Sequence, residues 1–534
     1  MRNDHHFPGF SNKSSSYYQR DKHRNWISIT VSVIMLVAYL ILPSLCLPDV
    51  SLPGVFGDHM VLQRGMKAPV WGTADPGEKV TVSIDGKNSH TTAGKDGRWM
   101  VKLKKMKAGG PYKLVVSGKN TVTIQDVMVG EVWVCSGQSN MWWTVERLKN
   151  ADDHISPSNY PEIRLLEVSR ISKNEPQYDF QGKKPEWVRC NPETVIKFSA
   201  VAFFFGRKLH NELEVPIGLL HSSWGGSVAE AWTRFEALQS DPQLRPLIED
   251  LDALNSVPDE RKKHIQALWA EYWKAYSAKK PLPEMPPHIR WAGSRDYPSG
   301  LYNAMLAPMI PYGIKGAIWY QGESNVGRSH QYRTLFPAMI KDWRRAWKQG
   351  NFPFIFVQLA NYNDVWGSWP ELREAQTMTL KLPNTAMAVT VDIGNPDNIH
   401  PNNKWDVGER LAIGALHTAY GRDNVYSGPM YKSMMRKGST IRLKFNHIAD
   451  GLSAKGGRLT GFIIAGSDRK FHDAKAVIDG NEVVVSGSGV TAPVAVRYGW
   501  EDSPMCNLFN SAGLPASPFR TDDWPCETLG ELKP

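Results

Sequence analysis

Between residues 126 and 421 the chain repeats one unit: a short apolar run, a turn, and a stretch of helical period. The runs lie at 127–134, 215–220, 315–320, 353–358 and 386–391. Helical patterns cover 140–148, 199–214, 228–240, 333–348, 370–381 and 404–420, the last stopped by Gly421. Runs this short and apolar fit strands buried on both faces, and strands that alternate with helices pair in parallel. The pattern predicts an α/β fold with a mostly parallel sheet covered on both sides by helices. It also predicts where the chemistry belongs, because open sheets of this kind bind ligands outside the C-terminal ends of their strands.

The flanking segments follow another rhythm. At 534 residues the chain is too long for one ordinary core. Residues 49–125 alternate apolar and polar positions, as in Lys79-Val-Thr-Val-Ser-Ile84, between turn signals such as Asp75-Pro-Gly77 and Asp85-Gly86. They read as an accessory N-terminal β-sandwich. The catalytic part is expected at 126–430, and residues 431–534 return to strand patterns such as Thr440-Ile-Arg-Leu-Lys-Phe445, a C-terminal β-rich region. Residues 241–295 interrupt the alternation with a charged helical stretch around 261–273 and prolines at 281–287. They are expected to be a helical insertion on the rim of the sheet that shapes the pocket.

The first 48 residues read as an address. A polar leader with Arg2, Lys13, Arg20, Lys22 and Arg24 precedes an uncharged apolar run from Trp26 to Leu42, ended by Pro43. This is a secretory signal cleaved after Cys46, or an uncleaved signal anchor. Either places residues 49–534 outside the cytoplasm, secreted, periplasmic or extracellular, with membrane contact expected only through this segment. Beyond it stand Cys135, Cys190, Cys506 and Cys526. None forms a C-x-x-C pair, and Cys506 with Cys526 is the expected disulfide. The net charge of +10, from 63 Lys and Arg against 53 Asp and Glu, is modest for this length, and no nucleic-acid partner is expected. Twenty Trp and eighteen Tyr offer stacking surfaces for a sugar, or fill cores.

Four peptides fall at predicted strand ends. Ser136-Gly-Gln-Ser-Asn-Met141 puts Ser139 where a strand gives way to a helix, exposed and with its N–H at the helix start. It is not the G-x-S-x-G elbow, and alone it reads as an N-cap. In Asp397-Asn-Ile-His400-Pro401, three residues within a turn let the Asp397 carboxylate reach the His400 imidazole and hold its tautomer. In Ser223-Trp-Gly-Gly-Ser227, Gly225 and Gly226 bring bare backbone N–H groups towards a ligand. In Trp319-Tyr-Gln-Gly-Glu-Ser-Asn325, Gln321 offers an amide donor and Asn325 a weaker one, a candidate for substrate binding. Each peptide alone is an ordinary turn. Together, on one edge of one sheet, they make a site in which Ser139, His400 and Asp397 supply nucleophile, base and orienter.

In this order the peptides resemble the four blocks of the SGNH hydrolase superfamily, and in detail the chain resembles the sialate O-acetylesterase family. The resemblance is carried by Gly130-Glu-Val-Trp-Val-Cys-Ser-Gly-Gln-Ser-Asn-Met141, Trp224-Gly-Gly-Ser-Val-Ala-Glu-Ala-Trp232, Ile318-Trp-Tyr-Gln-Gly-Glu-Ser-Asn325 and Asp397-Asn-Ile-His400. The opening Leu52-Pro-Gly-Val-Phe-Gly-Asp-His-Met-Val-Leu-Gln63 extends it over roughly 49–530. It implies an SGNH-type three-layer α/β/α sandwich with a mostly parallel sheet, flanked by accessory β-rich domains. It further implies a serine esterase that removes O-acetyl groups from sialic acids. By the resemblance Ser139 is the nucleophile, His400 the base and Asp397 its partner. The oxyanion donors are Ser139 N–H, a glycine of the Gly225–Gly226 pair, and Gln321, which stands where the superfamily uses Asn. The reaction runs through an acyl-serine, with no metal and no organic cofactor.

An ordinary His base predicts an acid limb through roughly pH 6 to 7. Two rival readings keep the fold. One is an acetylesterase on another acetylated glycan such as xylan, since specificity lies in the pocket walls. The other is a catalytically inactive carbohydrate-binding surface protein, against which the intact Ser139, Asp397 and His400 set argues.

Overall fold

A computed structural model describes residues 49–533 apart from 279, 282, 285–289 and 364–367. The expected export segment at 1–48 and part of the Pro-rich stretch lie outside the described residues. Six strands come first: β1 (Val61–Gln63), β2 (Pro69–Thr73), β3 (Lys79–Ile84), β4 (Lys87–Thr92), β5 (Arg98–Lys102) and β6 (Gly109–Ser117). β7 (Thr121–Gly137) follows, then β8 (Tyr160–Glu167), β9 (Trp187–Cys190), β10 (Ile217–Ser223), β11 (Gly316–Tyr320), β12 (Phe354–Val357) and β13 (Thr385–Ala388).

β7 runs through both parts of the fold. Its first half pairs antiparallel with β6, residues 128–130 pair with β1, and residues 131–137 pair in parallel with β10. The boundary expected between 125 and 126 therefore falls inside one strand, and Val50 onward packs as one unit. Asp126 ties this junction, accepting from Arg164 Nη1 at 2.7 Å and Arg189 Nε at 2.9 Å.

The central sheet has the order β13-β12-β11-β7-β10-β8-β9. Its pairs are parallel except β8–β9, so the sheet is mixed. The strands from Met430–Lys437 to Phe519–Arg520 form sheets of their own, a β-rich part with a nearly closed barrel. Successive side chains on a strand point to opposite faces. Trp133, Cys135, Ile318, Ile355 and Val357 share a core with residues of the helices Ala200–Leu213 and Lys404–Tyr420. Val132, Val134, Trp319, Phe354 and Phe356 share another with residues of the helices Ser329–Trp347 and Trp369–Met378. Burial on both faces is why these strands read as unbroken apolar runs. Part of the tryptophan wealth is core: Trp133, Trp232, Trp319, Trp343 and Trp347 are fully buried.

The helices have local causes. Ser199 caps Ala200–Leu213 by accepting from Ala202 N, and Asn403 caps Lys404–Tyr420 by accepting from Asp406 N. The two helices touch at Gly408, where a Cβ would stand 2.6 Å from Phe204 Cβ and 2.9 Å from Phe205 N.

Several expectations are corrected. The helix expected over 140–148 is one turn, Ser139–Trp142, then a 3-10 turn, Val145–Arg147. The chain leaves the helix at Trp143 to bond a distant segment: Ala200 N donates to Trp143 O at 2.9 Å and Val145 N to Phe198 O at 3.1 Å. The helix expected over 228–240 splits into Ala229–Trp232 and Phe235–Ser240. The Cys506–Cys526 disulfide is not formed, and all four described cysteines are free thiols. Cys526 Sγ instead lies 2.7 Å from the donating Arg333 Nη2.

Candidate active site

The parallel register builds the site. Gly137 pairs with Ser223 on one side and with Tyr320 on the other. The chain thus leaves β7, β10 and β11 from one row, and Ser139, Gly225 and Gln321 follow within two residues. The loop after β13 brings His400 to the same edge, with its Nε2 2.8 Å from Ser139 Oγ. Trp143 stacks on the imidazole, with centroids 5.0 Å apart and planes at 22°.

Gly225 lies directly against the serine. A Cβ there would stand 3.3 Å from Ser139 Cβ, so only a bare Cα allows this approach without displacing a neighbour. Among the described residues the N–H groups of Gly225 and Gly226 bond to nothing. The Ser139 N–H opens its helical turn, where backbone donors have no acceptor within the helix. Free N–H groups beside a nucleophile are what a developing oxyanion requires. Arg295, the last residue of the insertion, donates from Nη1 to Gly225 O at 3.3 Å.

The imidazole is held neutral. Burial, with the cations of Lys404 and Arg147, pushes the His400 pKa down to about 4. Lys404 is itself buried, and burial pushes it down to about 7 against the pull of Glu323. Its Nζ donates to Asn140 Oδ1 at 2.6 Å. Asn140 Nδ2 donates in turn to Glu323 Oε1 at 2.5 Å and to Ile399 O at 3.0 Å. Asn140 therefore ties the serine turn to the loops that carry Glu323 and His400. Burial raises the Glu323 pKa, and its Oε2 has no partner among the described residues. The sequence reading missed this network, although Asn140 and Glu323 lie inside two of the four peptides. Lys404 left no signal, since a lysine at a helix start reads as surface.

The structure does not bring the other expected residues onto the pair. Asp397 is exposed, and no hydrogen bond or ion pair joins it to His400 among the described residues. The turn closes on asparagines instead: Asp397 N donates to Asn395 Oδ1 and His400 N to Asn398 Oδ1, each at 2.9 Å. Such Asx turns satisfy the backbone locally and leave the carboxylate in water.

Gln321 is not a free donor. Its Nε2 donates to Ser227 O at 3.2 Å and Asn325 Oδ1 at 2.6 Å, and its Oε1 accepts from Tyr332 Oη at 2.9 Å. Asn325 is equally engaged, with Oδ1 accepting from Ala229 N and Nδ2 donating to Glu230 Oε2, both at 2.9 Å. Buried amides must satisfy every donor and acceptor, and these two do so by bracing the Ser227–Ala229 stretch against the third peptide.

A second Ser–His–carboxylate chain lies within the same sheet. Ser223 Oγ is 2.6 Å from His221 Nε2, whose ring bonds Glu167 through Nδ1. His221 and Ser223 are each only 1% exposed, which closes them to substrate. A cleft of about 1080 Å³ is lined by Arg64, Lys102, Lys315 and Pro353 and opens at the opposite, N-terminal edge of the sheet. Among the described residues no three His, Cys, Asp or Glu gather as a metal site, and no helix is long and apolar enough to cross a membrane.

Comparison with known proteins places this geometry. The family model described as carbohydrate esterase, sialic acid-specific acetylesterase, matches residues 288–417, which include the third peptide and His400. The sialate O-acetylesterase of Mus musculus is 32% identical over 523 residues, covering 86% of this chain and 92% of its own. That of Homo sapiens is 30% identical over 543 residues, covering 91% and 96%. The crystal structure of a carbohydrate acetylesterase from Xanthomonas citri matches with a TM-score of 0.76 at 38% identity, covering 89% of this chain and 100% of that one. Similarity of this extent, over most of both partners, means that the chain belongs to the sialate O-acetylesterase family and is a carboxylic ester hydrolase.

Proposed function

We propose that this protein is a serine esterase, on an SGNH-type three-layer fold, that hydrolyses the O-acetyl esters of sialic acids through an acyl-serine intermediate. The observation that carries the proposal is the 2.8 Å contact between Ser139 Oγ and the half-buried His400 Nε2, beside Gly225. The names of its relatives supply the substrate class.

In this reading the neutral His400 Nε2 takes the Ser139 proton as Oγ attacks the acetyl carbonyl carbon. The negative charge on the carbonyl oxygen meets the N–H groups of Ser139 and the Gly225–Gly226 pair. Collapse of the tetrahedral intermediate breaks the bond to the sugar oxygen, which takes the proton from His400. Water then gives a proton to His400 and attacks the acetyl-serine, releasing acetate and restoring the Ser139 hydroxyl. Trp143 holds the ring by stacking, and the turn that presents His400 is closed by the side chains of Asn395 and Asn398. In the same reading the leader at 1–48 exports the enzyme, and peptide mapping of the exported protein is expected to find its N-terminus near Leu47 where the leader is cleaved.

Acetate release from O-acetylated sialic acids, acetylated xylan and an activated aryl acetate tests the reading. The expected result is fastest turnover of the sialic acid among the sugars, with an acetyl adduct on the Ser139 peptide after acid quench. Faster turnover of xylan moves the substrate to a neutral glycan. Inertness towards even the activated acetate leaves an inactive binding protein.

A further inference from the structure

Two arginines from separate elements meet on one indole beside the catalytic pair. Arg147 closes the turn Val145–Arg147, and Arg170 follows β8. Their guanidinium carbons lie 4.5 Å and 4.7 Å from the Trp142 ring centroid. Trp142 ends the helical turn that Ser139 begins. Arg147 also lies 5.4 Å from the centroid of Trp143, the ring stacked on His400. One aromatic ring, Trp143, thus lies between Arg147 and the imidazole.

Both arginines are exposed, and neither has a carboxylate partner among the described residues. The acids next to them in sequence are engaged elsewhere: Glu146 accepts from Lys197 Nζ at 2.5 Å, and Glu167 bonds His221. Two guanidinium groups on one ring repel each other, and although Glu146 lies within electrostatic range of Arg147, neither arginine forms an ion pair among the described residues. An arginine held over an aromatic face forms no hydrogen bond with the ring and keeps its N–H donors, whose planar fork matches a carboxylate bidentately. The half-exposed Trp142 and Trp143 add flat apolar surface for a sugar ring. Arg295, on the Gly225 side, differs because it already donates to Gly225 O and lies against Asp296.

We propose that Arg147 and Arg170, laid on Trp142, form a carboxylate-binding subsite that selects acidic acetylated sugars whose ester is held at Ser139. The proposal rests on the sialic acid reading above and names the residues that read the acid group.

The test compares kcat/KM for an O-acetylated N-acetylneuraminic acid and for its carboxyl methyl ester within one protein, so that differences in folded fraction cancel. In the wild type the free acid is preferred by about 10- to 100-fold, the value of charge-assisted hydrogen bonds converted to a rate ratio. The ratio falls to about 1 in the Arg147→Gln, Arg170→Gln double variant and survives in Arg295→Gln. Equal wild-type rates on acid and methyl ester overturn the subsite while leaving the sialic acid reading intact. So does a double variant that keeps the wild-type ratio, or a ratio lost on Arg295→Gln alone. A wild type that deacetylates neither form but cleaves neutral acetylated oligosaccharides overturns the sialic acid reading, and the subsite with it.

Discussion

His400 can take a proton only when it is neutral, so kcat/KM follows the titration of this ring in the free enzyme. Burial and the nearby Lys404 and Arg147 place that titration at about 4. Lower pH protonates the ring and removes the base, so the rate falls as pH drops through this value. At pH 5 the neutral fraction is then about 0.9, whereas a His at its ordinary value of about 6.5 is only about 0.03 neutral. The expected kcat/KM for an aryl acetate at pH 5 is therefore at least about 80% of that at pH 7; an unshifted base gives about 4%. Circular dichroism across the same range separates acid unfolding from loss of the base. Asp397 supplies the decisive control. A carboxylate on Nδ1 favours the imidazolium and raises the pKa, so its removal would move the limb down. With Asp397 exposed, as in the structure, Asp397→Asn leaves the limb in place. A wild-type ratio below about a tenth, or a limb that drops on Asp397→Asn, refutes the argument and puts the carboxylate on the ring.

Ser139→Ala is expected to lower kcat by about 10³-fold or more, while Ser223→Ala retains most turnover; the reverse pattern in steady-state assays would move the nucleophile to the buried chain. Lys404→Met removes a cation that disfavours protonated His400, so the acid limb shifts to higher pH; a pH profile that does not move shows that burial and Arg147 set the value without Lys404. Gln321→Ala removes the partner of the buried Ser227 O and Tyr332 Oη and is expected to cost about 2–4 kcal/mol in urea unfolding, with kcat per folded molecule changed far less than in Ser139→Ala. Unchanged stability with about 10²-fold lower kcat would return Gln321 to the oxyanion hole.

The sheet was legible in the sequence because strands buried on both faces must be apolar at every position. Residues 132–135 alternate between two cores, yet all four are apolar. β8 escaped because Glu162, Arg164 and Glu167 interrupt its pattern, and Arg164 is buried because the Asp126 carboxylate and the carbonyls of Pro161 and His59 accept from it. Ser139 and His400 were legible because each follows a strand in a loop, and parallel strands bring such loops to one edge. What each polar side chain does there was not. Asn140 and Lys404 are 264 residues apart, and no local pattern marks their bond. Gln321 reads the same in sequence whether it faces an oxyanion or braces Ser227 and Asn325; the packing around it chose the second. Asp397 likewise has the spacing to reach His400, but Asn395 and Asn398 close the turn without it. Period and composition record which residues leave water. Which donor meets which acceptor, and hence the charge on the His400 imidazole, depends on partners that only the folded chain brings together.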